Sequence, residues 1–434
     1  MKLSQSITFS NKVTLPLAGT EAVKFNRFLL TYNASHALRG AIVYKMEGRE
    51  VQDPFFLEPG THTFSCVILD YLKELCAETP AALIFEPIPV MTGKNPDTYE
   101  SPAQVTLTVD EVDFEVYPVY NNTADNTYYL ANNRYKLGIR MNWGGGINYI
   151  EDNESKLPEV KNIINQFDTG RLIQQSYYGI GAHGDYQPEV FNNSRWVYNP
   201  VQGGDQHNNH SRIIDIVVKE HAVYIKSQPQ DWSMNGRITP SYMENTYTLD
   251  GDYIRVDNRF TDFSGWLHPC TSQEVPAFYT VSCLDRFTWY GGTKPWTGDE
   301  LSVRTDLKFW GDPKYARDSA FHIRKSNTET WCAWTNTDAD YGLGLYVPNT
   351  DYYTGGRHLY DHSPDPMSAS CNYVAPLVAV QIKPFTPIEY SYLMTAGSVA
   401  EIRRKFTEAK GFADNVSLKN NGRSMRVPDD YQGQ

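Results

Sequence analysis

The sequence lacks the features that mark nucleic-acid-binding and membrane-spanning proteins. Its 434 residues contain no Lys/Arg-rich run, and 51 acidic against 39 basic residues give a formal charge of -12. Such a surface repels nucleic acid and anionic polymers, so a neutral ligand is the expected partner. No stretch approaches the ~20 apolar residues of a membrane span, and the N-terminus has no signal-peptide-like apolar segment. We therefore predict a cytoplasmic protein that contacts neither membranes nor nucleic acid.

Cysteine and glycine motifs of cofactor sites are also missing. The six cysteines have no C-x-x-C spacing, which argues against a zinc ribbon or a redox dithiol. The glycines form neither G-x-x-x-x-G-K nor G-x-G-x-x-G, the two common phosphate-binding loops. No internal repeat of about 20–50 residues supports a propeller or a solenoid. No cofactor is therefore predicted.

Aromatic residues, by contrast, are abundant. The chain has 30 Tyr, 19 Phe and 9 Trp, and the Tyr and Trp of its middle part lie beside Asn, Asp and Gly. A sugar ring offers an apolar C–H face and a rim of hydroxyls, so aromatic faces next to amides and carboxylates suit both. Tyrosine is also common in β-strands, so composition alone leaves both explanations open.

The hydrophobic pattern predicts an all-β protein of two domains. Residues 1–120 contain short strand-like runs broken by turns, which indicates an N-terminal β-sandwich. A single helical candidate, Val67–Leu75, interrupts them. A polar linker at Asn121–Asn126 precedes a second strand-rich domain, 127–415, and residues 416–434 form a C-terminal tail. Long runs of strands without alternating helices favour antiparallel sheets over a parallel α/β sheet.

Two local signals in the second domain are specific. Strand-like segments Tyr242–Leu249 and Tyr253–Phe260 flank Asp250-Gly251, a two-residue combination typical of β-hairpins. Ser398 begins an S-x-x-E capping box and Gly411 ends the apolar stripe that follows, so we predict one helix near the C-terminus.

The densest group of polar and aromatic residues begins at Trp143-Gly-Gly-Gly-Ile-Asn-Tyr-Ile150. It continues to Asp168 and Arg171, which flank a glycine turn and form either an ion pair that holds the loop or a contact to substrate. Four hydrogen-bonding side chains follow, more than a solvated strand needs: Gln174, Gln175, Tyr177 and Tyr178.

The run GGGINYI, leading through Asn165 to Asp168 and Arg171, resembles the opening of the galactose-mutarotase-like super-sandwich. There a Gly-Gly-x-Ile strand is followed by an Asn and an Arg near the sugar. The resemblance implies a super-sandwich catalytic domain over 127–415 and a carbohydrate-active protein, either an epimerase, a glycoside hydrolase or a polysaccharide lyase. It also implies that Asn165 and Arg171 lie on the sugar side. The catalytic His pair of mutarotases has no counterpart here, which argues against simple epimerase activity.

A glycine-containing loop supplies further candidates. Gln202, Asp205, His207 and His210 could line a sugar site, and the two histidines with Asp205 could alternatively hold a metal. A solvated loop is the third interpretation, and no metal is predicted because loop histidines lack a helix to fix their spacing. Trp232, which follows Asp231, is a candidate sugar platform or a packed turn.

Three carboxylates lie among aromatic and apolar neighbours: Glu244, Asp262 and Glu274. Glycoside hydrolysis needs one protonated and one ionised carboxyl group, and burial keeps an acid protonated near neutral pH. Glu274, which precedes Val275-Pro276 and the aromatic pair that ends at Tyr279, is the predicted acid. Glu244 or Asp168 is its predicted partner.

We therefore predict a glycoside hydrolase that acts on a neutral oligosaccharide. The two acids come from separate strands across a wide cleft, which favours inversion. The alternatives are a polysaccharide lyase, with Arg171 or Gln174 neutralising a uronate, and a non-catalytic sugar-binding protein. The sequence leaves open whether the protein forms a homo-oligomer. The predicted substrate-binding residues are Asn165, Arg171, Gln174, Gln175, Tyr177, Tyr178, Gln202, Asp205, His207, His210, Trp232 and Tyr279.

Overall fold

A computed structural model describes residues 2–17, 24–68, 77–93, 98–118, 125–191, 193–305, 307, 320–322, 329–359 and 361–412. The predicted helix at Val67–Leu75 lies outside these ranges except for its first two residues, and Val67 ends a strand. Most of the predicted linker and the whole tail also lie outside them.

Short antiparallel strands build the N-terminal region: β1 (Lys2–Phe9), β2 (Val13–Pro16), β3 (Lys24–Phe25), β4 (Arg27–Ala34), β5 (Leu38–Met46), β6 (Arg49–Leu57), β7 (Gly60–Val67), β8 (Ala77–Pro87), β9 (Val90–Met91), β10 (Tyr99–Glu100) and β11 (Val105–Glu115). One sheet has the order β1-β11-β4-β7, the other has β2-β8-β5-β6 with β3 beside β8, and β9 pairs with β10. Side chains of Phe28, Leu30 and Phe55 belong to the core between the two sheets.

The second region is built from β12 (Thr127–Ala131), β13 (Tyr135–Arg140), β14 (Gly146–Asp152), β15 (Gln174–Ser176), β16 (Val190–Phe191), β17 (Ser194–Arg195), β18 (Pro200–Val201), β19 (Arg212–Val218), β20 (Ala222–Gln228), β21 (Gln230–Asp231), β22 (Ser241–Asp250), β23 (Tyr253–Asp262), β24 (Cys270–Val281), β25 (Arg286–Trp289), β26 (Ser302–Arg304), β27 (Ala320–His322), β28 (Trp331–Asn336), β29 (Tyr341–Tyr346), β30 (Tyr352–His358), β31 (Cys371–Gln381) and β32 (Ile388–Gly397). Helix α1 (Val399–Glu408) follows β32.

Two large sheets dominate this region. The seven-stranded sheet has the order β21-β18-β15-β24-β31-β30-β27, and the nine-stranded sheet has β19-β20-β22-β23-β32-β29-β28-β25-β26. Strands β12, β13 and β14 form a third sheet, and β16 pairs with β17. Alternate side chains of the two large sheets meet in one apolar core, for example Val275 and Phe278 from the first and Met243 and Val256 from the second.

The prediction of an all-β fold with a helix near the C-terminus is confirmed. Strands β22 and β23 form the predicted hairpin, with Asp250 opposite Tyr253. Helix α1 begins after Ser398, whose side chain accepts a hydrogen bond from the Glu401 amide in a complete capping box. No helix within the described residues is long and apolar enough to cross a membrane.

The N-terminal region and the nine-stranded sheet share packed surfaces. Tyr242 and Phe263, from the strands and loop beyond residue 127, belong to the same apolar cluster as the N-terminal core. Phe56 stacks on Phe263 with ring centroids 5.3 Å apart. Arg212 on β19 pairs with Asp53 on β6 at 2.8 Å. A domain boundary between residues 120 and 127 remains our proposal.

Candidate functional site

Glu274 lies on the face of the seven-stranded sheet that points away from the nine-stranded sheet, which we call the outer face. Its strand, β24, has a register irregularity against β31 between Glu274 and Phe278. Such a bulge changes which side chains point to each face. Val275 and Phe278 consequently point into the core. Ala277 and Tyr279 instead join an apolar cluster on the outer face.

Two tyrosine hydroxyls hold the Glu274 carboxylate. Tyr178 donates a hydrogen bond to Oε1 at 2.9 Å. Tyr373, on the neighbouring strand β31, donates a second one to the same oxygen. Burial raises the pKa of Glu274, and the hydroxyls of Tyr373, Tyr178 and Ser176, which favour the charged form, only partly offset it. Glu274 is 9% exposed, and its neutral form is therefore favoured more than that of an exposed glutamate.

Aromatic rings surround this acid on the outer face. Tyr279 lies directly opposite Tyr373 in the sheet and stacks on it with centroids 4.6 Å apart. On the other side, the rings of Tyr178 and Trp196 pack edge to face with their centroids 6.2 Å apart. The Phe191 ring packs in the same way on Trp196 and on Trp232, with centroid distances of 5.0 and 5.5 Å. We call the set the aromatic rim, and its members are Tyr178, Phe191, Trp196, Trp232, Tyr279 and Tyr373.

Asp168 and Arg171 complete the rim between Tyr279 and Trp232. Arg171 Nε lies 3.2 Å from Asp168 Oδ2, and the guanidinium also donates to the Ala369 carbonyl at 2.6 Å. The ion pair therefore does hold the loop. Gly170, between the two, lies so close to Trp232 that a Cβ there would come within 2.7 Å of the indole. The pKa of Tyr279 is raised by burial and then by the charge of Glu274, with a smaller contribution from Asp168, so both carboxylates lie near that ring.

Glu244 does not lie on the outer face. It is on β22 of the nine-stranded sheet, where Met243 and Asn245 point into the shared core and Glu244 points the other way, toward the N-terminal sheets. Tyr224 donates to it at 2.7 Å and Arg259 at 2.7 Å. Burial would raise the pKa of Glu244, but Lys226 and Arg259 hold it below its ordinary value. The expected pairing of Glu244 with Glu274 is thus corrected, because the core separates the two side chains.

Several predicted sugar ligands instead join the two large sheets internally. Gln202 donates to Asn245 at 2.9 Å and accepts from the Gln175 amide at 3.1 Å. Gln174 does not join the sheets: it lies opposite the outer-face residue Ala277 and bonds the loop backbone at the Thr169 carbonyl and the Gly203 amide. Tyr177 is fully buried and stacks on Phe260 at 4.0 Å. This corrects our expectation for Gln174, Gln175, Tyr177 and Gln202, whose polar groups are used between buried backbone and side-chain partners.

Asn165 likewise serves a loop. Its amide donates to the carbonyls of Ser368 and Ser370 at 2.9 and 3.2 Å. The side chain thereby fixes the loop that also supplies the Ala369 carbonyl to Arg171. We infer that Asn165 supports the site from behind rather than from the sugar side.

The loop over 202–210 is organised by Asp205. Asp205 is fully buried and accepts hydrogen bonds from His207 N, Asn209 N, Asn209 Nδ2 and Gly236 N. His207 pairs with Glu189 at 2.7 Å, whereas His210 Nε2 accepts from Trp143 Nε1 at 3.0 Å. No three His, Cys, Asp or Glu side chains in that part of the chain converge as metal ligands.

Two further buried acids, Asp262 and Asp231, have hydrogen-bond partners of their own. Asp262 accepts from Tyr198 at 2.8 Å and from the Ser264 amide at 3.1 Å, and His268 Nε2 lies 3.4 Å from it. Asp231 accepts from Tyr186 at 2.9 Å. Burial raises the pKa of Asp231 to about 6. Neither side chain hydrogen-bonds to Glu274 or to the hydroxyls that hold it, so we interpret both as structural acceptors.

The structure adds residues that the sequence pattern did not single out. Tyr373, Ser176 and Trp196 contact or flank Glu274, and Tyr352 belongs to the same outer-face cluster. Near Tyr373 in the sequence, only the small and apolar residues of β31 give a signal, and they indicate a buried strand without indicating which residue Tyr373 contacts. Its place beside Tyr279 depends on the β24–β31 register, which links residues about a hundred positions apart.

Comparisons with known proteins give matches among solved structures only. No family model and no curated protein sequence matches the chain. A galactose mutarotase related enzyme from Lactobacillus acidophilus is 12% identical, with a TM-score of 0.41, over 63% of this chain and 97% of that one. A galactose mutarotase-like protein from Lactobacillus casei is 12% identical, with a TM-score of 0.37, over 62% of this chain and all of that one. An α-galactosidase from Geobacillus stearothermophilus is 11% identical, with a TM-score of 0.37, over 65% of this chain and 41% of that one. Each of these similarities covers between 62% and 65% of this chain.

Proposed function

We propose that this protein is a carbohydrate-active enzyme, a glycoside hydrolase whose site is the outer face around Glu274. The observation that carries the proposal is a buried glutamic acid with a raised pKa at the centre of an aromatic surface. Aromatic faces stack on the C–H face of a sugar, and a carboxylic acid kept neutral can protonate a glycosidic oxygen. Glu274 is the proposed proton donor.

Asp168 is the proposed second carboxylate. It shares the surroundings of Tyr279 with Glu274, and it has a guanidinium and backbone amides as partners that favour its charge. Burial nevertheless raises the pKa of Asp168, with Arg171 opposing the shift. Asp168 is in a loop rather than on a strand next to β24, and such an arrangement leaves room for a water molecule between the acids. We therefore propose inversion, which proton NMR of the first-formed product anomer tests directly.

The lyase alternative receives less support from the same contacts. The Arg171 guanidinium is engaged by Asp168 and by the Ala369 carbonyl. Gln174 is 2% exposed, and its amide group is engaged by the Thr169 carbonyl and the Gly203 amide. Both side chains therefore already have partners, whereas a β-elimination requires a group that is available to neutralise a uronate. An ultraviolet assay on uronic-acid glycans separates the two reactions, because a lyase makes an absorbing unsaturated product and a hydrolase does not.

The test is a hydrolysis screen of neutral oligosaccharides with the parent protein and Glu274→Gln. We expect release of reducing ends by the parent and a loss of ~100-fold or more in the variant, the usual contribution of a general acid. Glu151→Gln, which changes a glutamate on β14 of another sheet, is the matched control and should keep parental turnover. Parental turnover in Glu274→Gln would contradict the proposed role of Glu274. If the parent and both variants bind a sugar but none of them hydrolyses it, the non-catalytic alternative is favoured.

A further inference from the structure

A cavity of about 200 Å³ lies between the N-terminal sheets and the nine-stranded sheet, on the opposite side of the large core from Glu274. Its walls come from both regions. Glu58, His62 and Phe64 line it from the N-terminal region, and Lys226, Glu244 and Arg259 line it from the nine-stranded sheet. The site around Glu274 uses none of these side chains.

Two acids of this cavity, Glu58 and Glu244, are paired with Arg259. Its guanidinium donates to Glu58 Oε1 at 2.8 Å and to Glu244 Oε1 at 2.7 Å. Tyr224 donates to the other oxygen of Glu244 at 2.7 Å. Charged carboxylates only accept hydrogen bonds, so this wall offers acceptors to a ligand.

Lys226 supplies donors on the same wall. Its Nζ lies 4.9 Å from the centroid of the Phe64 ring and 4.4 Å from that of Tyr242. Among the described residues, no carboxylate oxygen lies within 4 Å of this ammonium group, in contrast to Arg259. A cation held over aromatic rings keeps three N–H donors for other partners.

We propose that this cavity binds a neutral monosaccharide, with Lys226 as donor, Glu58 and Glu244 as acceptors, and the aromatic wall against its C–H face. At about 30 Å³ per water in the liquid, the volume equals some six or seven waters, which suits a single sugar ring rather than a chain. Of the three carboxylates in the lining, Asp215 is paired with Arg27 at 3.2 Å, and the other two are paired with Arg259. With Lys226, three carboxylates thus stand against three cations, and the charges balance. A balanced lining gives anionic sugars and phosphates no net attraction and, with both donors and acceptors, favours an uncharged polyol.

A ligand in this position contacts both regions at once, so its binding stabilises the folded chain. Binding to the folded state alone raises the melting temperature in a saturable way as the sugar concentration exceeds the dissociation constant. This inference is independent of the proposed function, because it involves a different face of a different sheet.

The experiment is a calorimetric and thermal-shift titration of the full chain with D-glucose, D-galactose, D-mannose and D-xylose, and with glucuronate as the anionic comparison. We expect saturable binding of at least one neutral sugar and none of glucuronate. Lys226→Met keeps the apolar stem over Phe64 and removes the ammonium group, and we expect it to weaken binding at least tenfold. Glu244→Gln, as a second variant, should also weaken it.

Three outcomes overturn the proposal. The first is that none of the four neutral sugars binds. The second is that Lys226→Met and Glu244→Gln bind the sugar with parental affinity, whereas Glu274→Gln or Trp232→Ala abolishes binding. That result would assign the sugar to the outer face. The third is equal binding of glucuronate, which contradicts the charge argument. Loss of hydrolysis in Glu274→Gln with sugar binding kept in the cavity would separate this inference from the proposed function.

Discussion

The carboxylate of Glu274 depends on hydroxyls that come from three different strands or loops. Of these hydrogen bonds, the one from Tyr373 opposes the effect of burial most. It joins β24 to β31 on the outer face. The pKa of the proposed acid therefore depends on individual hydroxyl groups as well as on burial.

Tyr373→Phe should raise the pKa of Glu274 further. A hydroxyl that donates to a carboxylate stabilises its charged form, so removing the hydroxyl favours the neutral acid, and deprotonation moves to higher pH. Carbon-13 NMR of the labelled glutamate carboxyls across pH measures this without a substrate. Tyr352→Phe is the matched control, because the Tyr352 hydroxyl bonds Ser272 on the same face instead. A Glu274 titration that moves to lower pH in Tyr373→Phe would contradict the assignment.

The buried carboxyl group of Asp231 should lower the free energy of unfolding as pH rises from its pKa in the unfolded chain to its pKa in the folded chain. Its pKa is 3.8 ordinarily and about 6 in the folded chain because of burial. The native state then binds more protons than the unfolded state in this window. The contribution is complete below about pH 4 and lost above about pH 6, and the two-unit shift corresponds to about 3 kcal/mol.

Urea unfolding of the parent and Asp231→Asn at several pH values from 4 to 7 measures this effect. The stability difference, variant minus parent, should increase with pH. Asp252→Asn is a control of opposite sign, because Arg134 and Lys405 outweigh burial and hold the pKa of Asp252 below its ordinary value. Parallel pH curves for the parent and Asp231→Asn would contradict the prediction.

At the scale of the element, helix α1 is positioned by a glycine of the strand beneath it. A Cβ at Gly344 on β29 would lie 2.4 Å from Ile402 and 2.9 Å from the Phe406 ring. Both helix residues are fully buried against Trp331 and Tyr346. The close approach of strand and helix therefore requires that this position has no side chain.

Gly344→Ala should destabilise the chain by about 1–3 kcal/mol, the usual cost of overpacking a core. We also expect faster hydrogen exchange in α1 than elsewhere, because the helix must move away from the strand. Gly181→Ala is the control, since a Cβ there meets no atom within 4 Å. Unchanged urea midpoints in Gly344→Ala would show that the helix shifts without cost.

At the scale of the whole molecule, the N-terminal core is closed by side chains from beyond residue 127. The buried Phe56 amide donates to the Tyr242 hydroxyl at 2.9 Å, and both rings pack with Phe263. Arg27 and Asp215 form a further ion pair between the regions at 3.2 Å. These contacts lead us to expect that both regions unfold together.

Tyr242→Phe should lower the free energy of unfolding by about 1–3 kcal/mol, because it leaves the buried Phe56 N–H without its acceptor. Differential scanning calorimetry should give one transition in both proteins, at lower temperature in the variant. Tyr44→Phe is the control, because the buried Tyr44 hydroxyl has no hydrogen-bond partner among the described residues. Two separate transitions in the parent would contradict joint unfolding.

Local chemistry determined much of the secondary structure. The Asp250-Gly251 turn, the capping box at Ser398 and the alternation along β23 act over a few neighbouring residues, so the sequence alone predicts them. The burial of Glu274 follows in the same way, because Val275 and Pro276 are its immediate neighbours. The prediction of a buried acid at this position needed no tertiary information.

Only the tertiary structure decided which acids share a face. The two-residue period of a strand indicates that Glu244 and Glu274 point away from their core neighbours, yet it does not tell which sheet packs on which. Gln174 and Gln202 have the polar groups of sugar ligands, but the structure uses them in buried hydrogen bonds within the protein. Tyr373 reaches Glu274 through a register between distant segments. Register and layer order are set by the packing of whole sheets, and that packing depends on contacts between residues far apart in the chain.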